Sequence, residues 1–339
     1  MLKTGTLIHG GVMVNYKCVA ACRHCLYSCS PTRVPSAHES KETYVNEASA
    51  EKICRLLYSG GCRSVHIGGG EPFLDFDGLL MMVRKLKSAG IKLEYIETNA
   101  YWAANAQGQK AAQKGIMAKL KSLLKEGADC LCISIDPFHA EYIPYSAPLA
   151  LMELCEKAGM NFFLWKPEFL SALSRLDSKK THSRAEMEKI LSKTYVLDTA
   201  RLYGIEYGGR AVNVETEFGA LYHAETFTAD DAPCRNLLST GHFHVDMDCH
   251  FIPPRCTGIH IPLSEAVEGI PPGKYPAFEA LYFDGVSALL ELALQYGFSP
   301  DGAGYPSKCN SCFHLRHFLS EKDFAELDRN HYEEALRYY

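Results

Sequence analysis

The sequence predicts an α/β fold, a parallel β-barrel wrapped by helices and followed by a small cysteine-rich domain. Two observations carry this expectation. Over the first two thirds, short apolar runs alternate with longer amphipathic stretches about six times; from about Val212, glycine, proline and cysteine become frequent. Repeated strand–helix alternation gives right-handed βαβ units and therefore a parallel sheet. A third observation marks the working end. Two chemistry-bearing motifs directly follow the first two strand runs, and barrels of this kind carry their sites at the C-terminal ends of the strands.

The strand runs are 11–16, 64–68, 92–98, 130–136, 161–166 and 201–207, each short, apolar and bounded by turn residues. Between them, helical spacing covers 47–58, 79–89, 115–126, 149–158 and 183–192, and Gly60-Gly61, Gly90, Gly127 and Gly159 stand where helices stop. The predicted division is a barrel over 1–211, a cysteine-rich domain over 212–317, without helices, and a C-terminal helix over 318–339. In the fourth strand, alternation puts Cys130, Cys132, Ser134 and Asp136 on one face and Leu131, Ile133 and Ile135 on the other. The polar face is expected to point into the barrel.

With 47% hydrophobic and 22% charged residues in 339, the chain has the composition of a globular protein of about two domains. A net charge of −5 argues against a nucleic-acid or anionic-membrane partner. The chain shows no signal-peptide pattern and no apolar run of about 20 residues, so a cytoplasmic protein is expected. Fourteen cysteines in such a chain point to metal ligation or catalysis rather than disulfides.

The cysteines fall into two ligand groups. Cys18, Cys22 and Cys25 form a C-x3-C-x2-C triplet, and Gly69-Gly70-Glu71-Pro72 follows the second strand. A four-iron cluster takes thiolate ligands; three thiolates leave one iron open. Structural zinc is the other reading of the triplet, with His24 or Cys29 as fourth ligand, but zinc says nothing about the Gly-Gly-Glu run.

These motifs, each at its strand end, resemble the radical S-adenosylmethionine superfamily. The resemblance implies a partial (β/α)6 TIM-like barrel holding a 4Fe-4S cluster whose open iron is chelated by S-adenosylmethionine. Reduction by a flavodoxin- or ferredoxin-type donor would then yield a 5′-deoxyadenosyl radical. It implies that Gly69 and Gly70 let backbone approach the ligand, that Glu71 meets the methionine ammonium, and that Asn99 and Ser134 contact the methionine or ribose. Asp136 and His139 would stand at the mouth near substrate. Cys132, one pleat below Ser134, is open between a small filler and a thiol that gives a hydrogen atom to a substrate radical.

In the second group, Cys309-x2-Cys312 reads as a ligand hairpin that, with Cys234 and Cys256, supplies four thiolates. Residues 242–254 before Cys256 resemble the hairpin of twitch or SPASM auxiliary-cluster domains, implying a second 4Fe-4S cluster; zinc on the same four thiols is the alternative. Gly208-Gly209-Arg210-Ala211 resembles the lead-in to such domains. Cys249 stands where that hairpin has a turn glycine and is open between ligand, redox thiol and turn residue. His242 and His244 alternate along one strand face, read as the solvated side of a hairpin or as a metal pair.

The Cys25-Leu-Tyr-Ser-Cys29 run, Asp136-Pro-Phe-His-Ala-Glu and the final C-x2-C resemble radical peptide epimerases and maturases of ribosomal peptides. Such an epimerase needs a thiol that quenches the product radical. Thr257 occupies the place after Cys256 where that group has its donor, which leaves Cys249, Cys132 and Cys29. Only 17 residues precede the triplet, so no N-terminal peptide-recognition domain is expected. The expected function is hydrogen abstraction from a peptide, ending in epimerisation or crosslinking. The alternatives are dehydrogenation of a small molecule and a zinc-stabilised binding protein.

Overall fold

Strands β1 (Gly10–Met13), β2 (Ser64–Gly68), β3 (Lys92–Thr98), β4 (Cys130–Ser134) and β5 (Asn161–Trp165) lie parallel, each beside the next. The computed structural model describes residues 1–34, 42–206, 208–227 and 232–338. A sixth parallel strand, β6 (Phe243–Val245), pairs with the other side of β1, and β7 (His250–Ile252) and β8 (Ile261–Pro262) extend the sheet antiparallel. The full order is β5-β4-β3-β2-β1-β6-β7-β8, so the α/β class and the open six-stranded barrel are as expected.

Helices α1 (Glu47–Ser59), α2 (Phe76–Ser88), α3 (Lys110–Glu126), the short α4 (Pro137–Ala140) and α5 (Ser146–Ala158) join the first five strands. Asn46 and Asp75 cap α1 and α2 by accepting the amides of Ser49 and Gly78. Val65, Ile67, Leu131 and Ile133 are fully buried on the helix side of the sheet. His66 and Cys132, one position out of phase, face the barrel interior, as strand alternation requires.

The expected strand at 201–207 is not one. Residues Tyr195–Tyr203 form α8, which buries Tyr195, Val196, Thr199 and Ala200 at helical spacing and ends at Gly204 with φ 69°; Tyr207 lies outside the described residues. Its helical neighbours in the long β5–β6 connection are α6 (Leu170–Leu173), α7 (Arg184–Ile190) and α9 (Ala211–Phe218). The sixth strand position is filled instead by β6, from beyond residue 211.

The expectation of a segment without helices over 212–317 is also corrected. It contains α10 (Leu263–Glu268), α11 (Pro276–Phe283), α12 (Val286–Gln295) and most of α13 (Lys308–Ser320), and α14 (Arg329–Arg337) lies within the expected C-terminal helical segment. The prolines and glycines that argued against helices are helix starts: Pro276 is the first residue of α11 and Gly285 caps α12. Cys309 and Cys312 therefore sit within the first five residues of α13, after the Ser307 cap, not in a hairpin.

Candidate metal centre

After β1 the chain rises over the sheet in a loop that carries Cys18, Cys22 and Cys25. All three line a cavity of about 570 Å³ together with Gly69, Gly70 and Asn99. The two glycines are needed by the loop itself. A Cβ on Gly70 would stand 1.9 Å from the Lys17 carbonyl oxygen, and one on Gly69, at φ 139°, would stand 2.7 Å from that of Asn15. The Gly70 amide donates to the Asn15 carbonyl and side-chain oxygens, both at 2.9 Å. Glu71 N–H donates to Lys17 O at 2.8 Å. The Gly-Gly turn thus anchors the cysteine loop by backbone contact that no side chain permits.

Glu71 is held by the chain around it. Its carboxylate is fully buried and accepts from Phe73 N–H (3.1 Å), the Thr98 hydroxyl (2.9 Å) and Asn99 N–H (2.8 Å). It is absent from the cavity wall. Burial pushes it up to about 7 despite these donors. It therefore ties the ends of β2 and β3 together. Asn99 and Ser134 do line the cavity, and the Asn99 amide points at the Cys18 sulfur at 3.4 Å.

The thiols are prepared unequally. Burial, then the neighbouring Cys22, pushes Cys18 well up, and burial raises Cys22 as well. Cys25 is held down, chiefly because Cys29 hydrogen-bonds to its sulfur, and the Cys29 amide donates to it at 3.2 Å. Buried thiols facing one another in a cavity repel as thiolates, and metal ligation is what relieves that cost. The donor set and the cradle fit a 4Fe-4S cluster with one iron open to the cavity.

Residues 9–126 match the family described as a 4Fe-4S single cluster domain. No curated protein matches the chain. Among solved structures, anSMEcpe with bound AdoMet is 12% identical, the match covering 97% of this chain and 95% of that one at a TM-score of 0.44. SuiB of Streptococcus suis bound to S-adenosylmethionine is 15% identical, covering 74% and 60% at 0.38. HydG, a hydrogenase maturase, is 16% identical, covering 46% and 34% at 0.34. The chain thus spans less than two thirds of SuiB and of HydG. The matched segment, residues 9–126, holds the cysteine triplet and the Gly69–Gly70 turn.

Around the cysteine triplet and the Gly69–Gly70 turn, other expected residues fall in different places. Asp136 is 1% exposed and caps α4; its carboxylate accepts the His139 amide (3.0 Å) and meets His139 Nδ1 at 2.7 Å. Burial opposes its ionisation, but His139 and His24 hold it down at about 2. His139 lines the cavity and hydrogen-bonds the Cys22 sulfur, so Asp136 positions His139 rather than facing the cavity itself. Cys132 lines the cavity, and burial pushes its thiol up. Cys249 does not line it. It occupies the β6–β7 turn at φ 67°, the left-handed conformation that glycine usually supplies.

The second cysteine group also converges. Burial pushes Cys256 up to about 12, with Arg316 opposing and Cys312, Cys234 and Cys309 adding to the rise. Buried Arg316 donates to the Thr257 carbonyl at 2.7 Å and hydrogen-bonds Cys312.

Sequence reading missed the clamp under the triplet. Arg210, fully buried, donates to the carbonyls of Cys22 (2.9 Å) and Cys29 (3.0 Å), and its amide donates to that of Cys25 (3.0 Å). The Gly208-Gly209-Arg210 run was the available signal, since a Cβ on Gly209 would stand 2.2 Å from the Leu26 carbonyl oxygen.

Proposed function

We propose that the chain cleaves S-adenosylmethionine reductively and abstracts a hydrogen atom from a ribosomally made peptide, with epimerisation or crosslinking as outcome. One observation carries the reading. The cysteine triplet, the Gly69–Gly70 turn and two further thiols, Cys132 and Cys29, share a single cavity. A four-iron cluster bearing S-adenosylmethionine supplies, when bound, a 5′-deoxyadenosyl radical.

The chain's own residues do the rest. Cys18, Cys22 and Cys25 hold the cluster, and Gly69, Gly70, Asn99 and Ser134 form the cradle beside it. His139, fixed by Asp136, donates to the Cys22 sulfur. Cys132 keeps its S–H at neutral pH because burial disfavours the thiolate, and a thiol hydrogen is what a carbon radical takes to complete an epimerisation. At the rim, Arg255 and Glu206 pair at 3.0 Å and present both signs of charge to an incoming peptide. Cys234, Cys256, Cys309 and Cys312 hold the auxiliary cluster, the site is reduced by a flavodoxin- or ferredoxin-type donor, and the protein works in the cytoplasm. That second thiol group favours a second reading, dehydrogenation of a small molecule, in which the auxiliary cluster takes an electron from the substrate.

Turnover in D2O tests the proposal with the precursor peptide of a neighbouring gene. Epimerisation leaves one solvent deuterium on the inverted carbon, and Cys132→Ala removes it. Loss of two hydrogens without deuterium overturns the peptide-epimerase reading in favour of dehydrogenation. A Cys18→Ala/Cys22→Ala variant must form no 5′-deoxyadenosine; continued formation overturns the cluster assignment.

A further inference from the structure

Below the cysteine triplet, towards the N-terminal ends of the strands, the same interior holds a cluster of histidines that the proposed reaction does not use. His66 projects inward from the middle of β2, stacked on Tyr95 with ring centroids 4.9 Å apart and planes at 8°. His244 projects inward from β6, and the two Nε2 atoms stand 3.1 Å apart. His242, at the start of β6, brings a third ring within 5.5 Å of His66 and 5.1 Å of His244. One nitrogen from each of the three lies within 4.8 Å of the others.

This face was read as the solvated side of a hairpin or as a metal pair. The pairing of β6 with β1 turns it inward instead, leaving His244 8% exposed and His66 fully buried.

The surroundings are arranged for these rings. Gly11 on β1 leaves the space they occupy: a Cβ there would stand 2.3 Å from His66 Nε2 and 2.5 Å from the His244 ring. Tyr27 Oη meets His244 Nδ1 at 2.7 Å, which fixes the ring with Nε2 turned inward. Orientation through the distal nitrogen is what metal-bound histidines receive. The Glu97 carboxylate stands 3.8 Å from His66 Nε2 and lines the cavity with His242 and His244. Four ligands at about 2.0–2.1 Å around a tetrahedral zinc ion place nitrogens roughly 3.3 Å apart, close to the spacing already present between His66 and His244. Imidazole nitrogens select first-row divalent transition ions over magnesium or calcium.

We propose that His66, His242 and His244 form a three-histidine site for a divalent transition-metal ion of the zinc class, separate from both cysteine groups. Its fourth position opens to the cavity beside Glu97. Burial also keeps His66 and His244 neutral, the form that ligates.

Zinc loading tests the site without S-adenosylmethionine or substrate, so its failure is distinct from failure of the proposed function. The full chain, purified anaerobically with its iron–sulfur clusters, is equilibrated with zinc chloride, gel-filtered and examined at the zinc absorption edge. The expected result is about one zinc per chain in a nitrogen and oxygen shell at about 2.0–2.1 Å, without sulfur at about 2.3 Å. His66→Gln/His244→Gln and His242→Ala should each weaken retention at least about tenfold, by analogy with losses around other metal sites. His242 lies exposed, so its variant tests the site with the core untouched, and iron content reports whether either variant still folds. Far less than one zinc per chain, a sulfur shell, or undiminished retention in His242→Ala overturns the proposal.

Discussion

Gly70 has the least room of any position at the metal centre. Its missing Cβ admits the Lys17 carbonyl, whose chain leads directly into Cys18. Gly70→Ala is expected to displace the cysteine loop and cut iron retention several-fold after anaerobic reconstitution. Gly115→Ala, inside α3 with open space around it, is the counterpart and should raise stability by about 1 kcal/mol in urea unfolding. Equal effects of the two changes would contradict this account. The Gly-Gly-Glu run was legible as a strand-end motif, because glycine pairs mark close approach. Glu71 was not legible in detail, because its partners, the Asn99 amide and Thr98 hydroxyl, belong to another strand. Which group a carboxylate meets depends on the sheet, and the local sequence carries no record of that.

Among the elements, the first five strands and their helices were readable from apolar period and helix stops. The later ones were not. The run read as a strand, 201–207, takes in only the last three residues of α8, and that helix's buried residues, Tyr195, Val196, Thr199 and Ala200, all precede it. β6 has only three residues, and its place beside β1 follows from long-range parallel pairing. That misplacement also hid the histidine cluster, since whether His242 and His244 face water or the barrel depends on β6's partner.

The α13 helix carries both members of the last C-x2-C within its first five residues. If they close an auxiliary cluster with Cys234 and Cys256, a Cys309→Ser/Cys312→Ser variant should fall from about eight iron atoms per chain to about four, as expected for two four-iron clusters. Electron paramagnetic resonance of the reduced protein should then retain one cluster signal. Unchanged iron would exclude these residues as ligands.

The whole molecule carries many neutral histidines in its interior. Burial holds His66 and His331 down at about 3, and lowers His244 and His260 too. An unfolded chain protonates these groups below about pH 6.5, whereas the folded one resists. Stability should therefore fall as pH drops from about 6.5, by up to about 1.4 kcal/mol per unit for each such histidine. The buried carboxylates Asp246 and Asp328, depressed by their partners, lose their contribution only below the ordinary carboxylate range. Urea midpoints between pH 7 and 5 check this: a flat profile would mean that the histidines are not held neutral. Among the described residues, no helix is long and apolar enough to cross a membrane.

The cysteine loop is also clasped from the far end of the chain. Arg33, just past the triplet, pairs with Asp328, and Ser30 donates to Glu334 at 2.6 Å. On a ribosome, residues 18–25 emerge long before their clasp exists, and β6 has yet to join β1. The thiols thus wait unsheltered while some 300 further residues are made, a contact separation that folds slowly. The clasp over the triplet can therefore form only once residues 328–334 have been made.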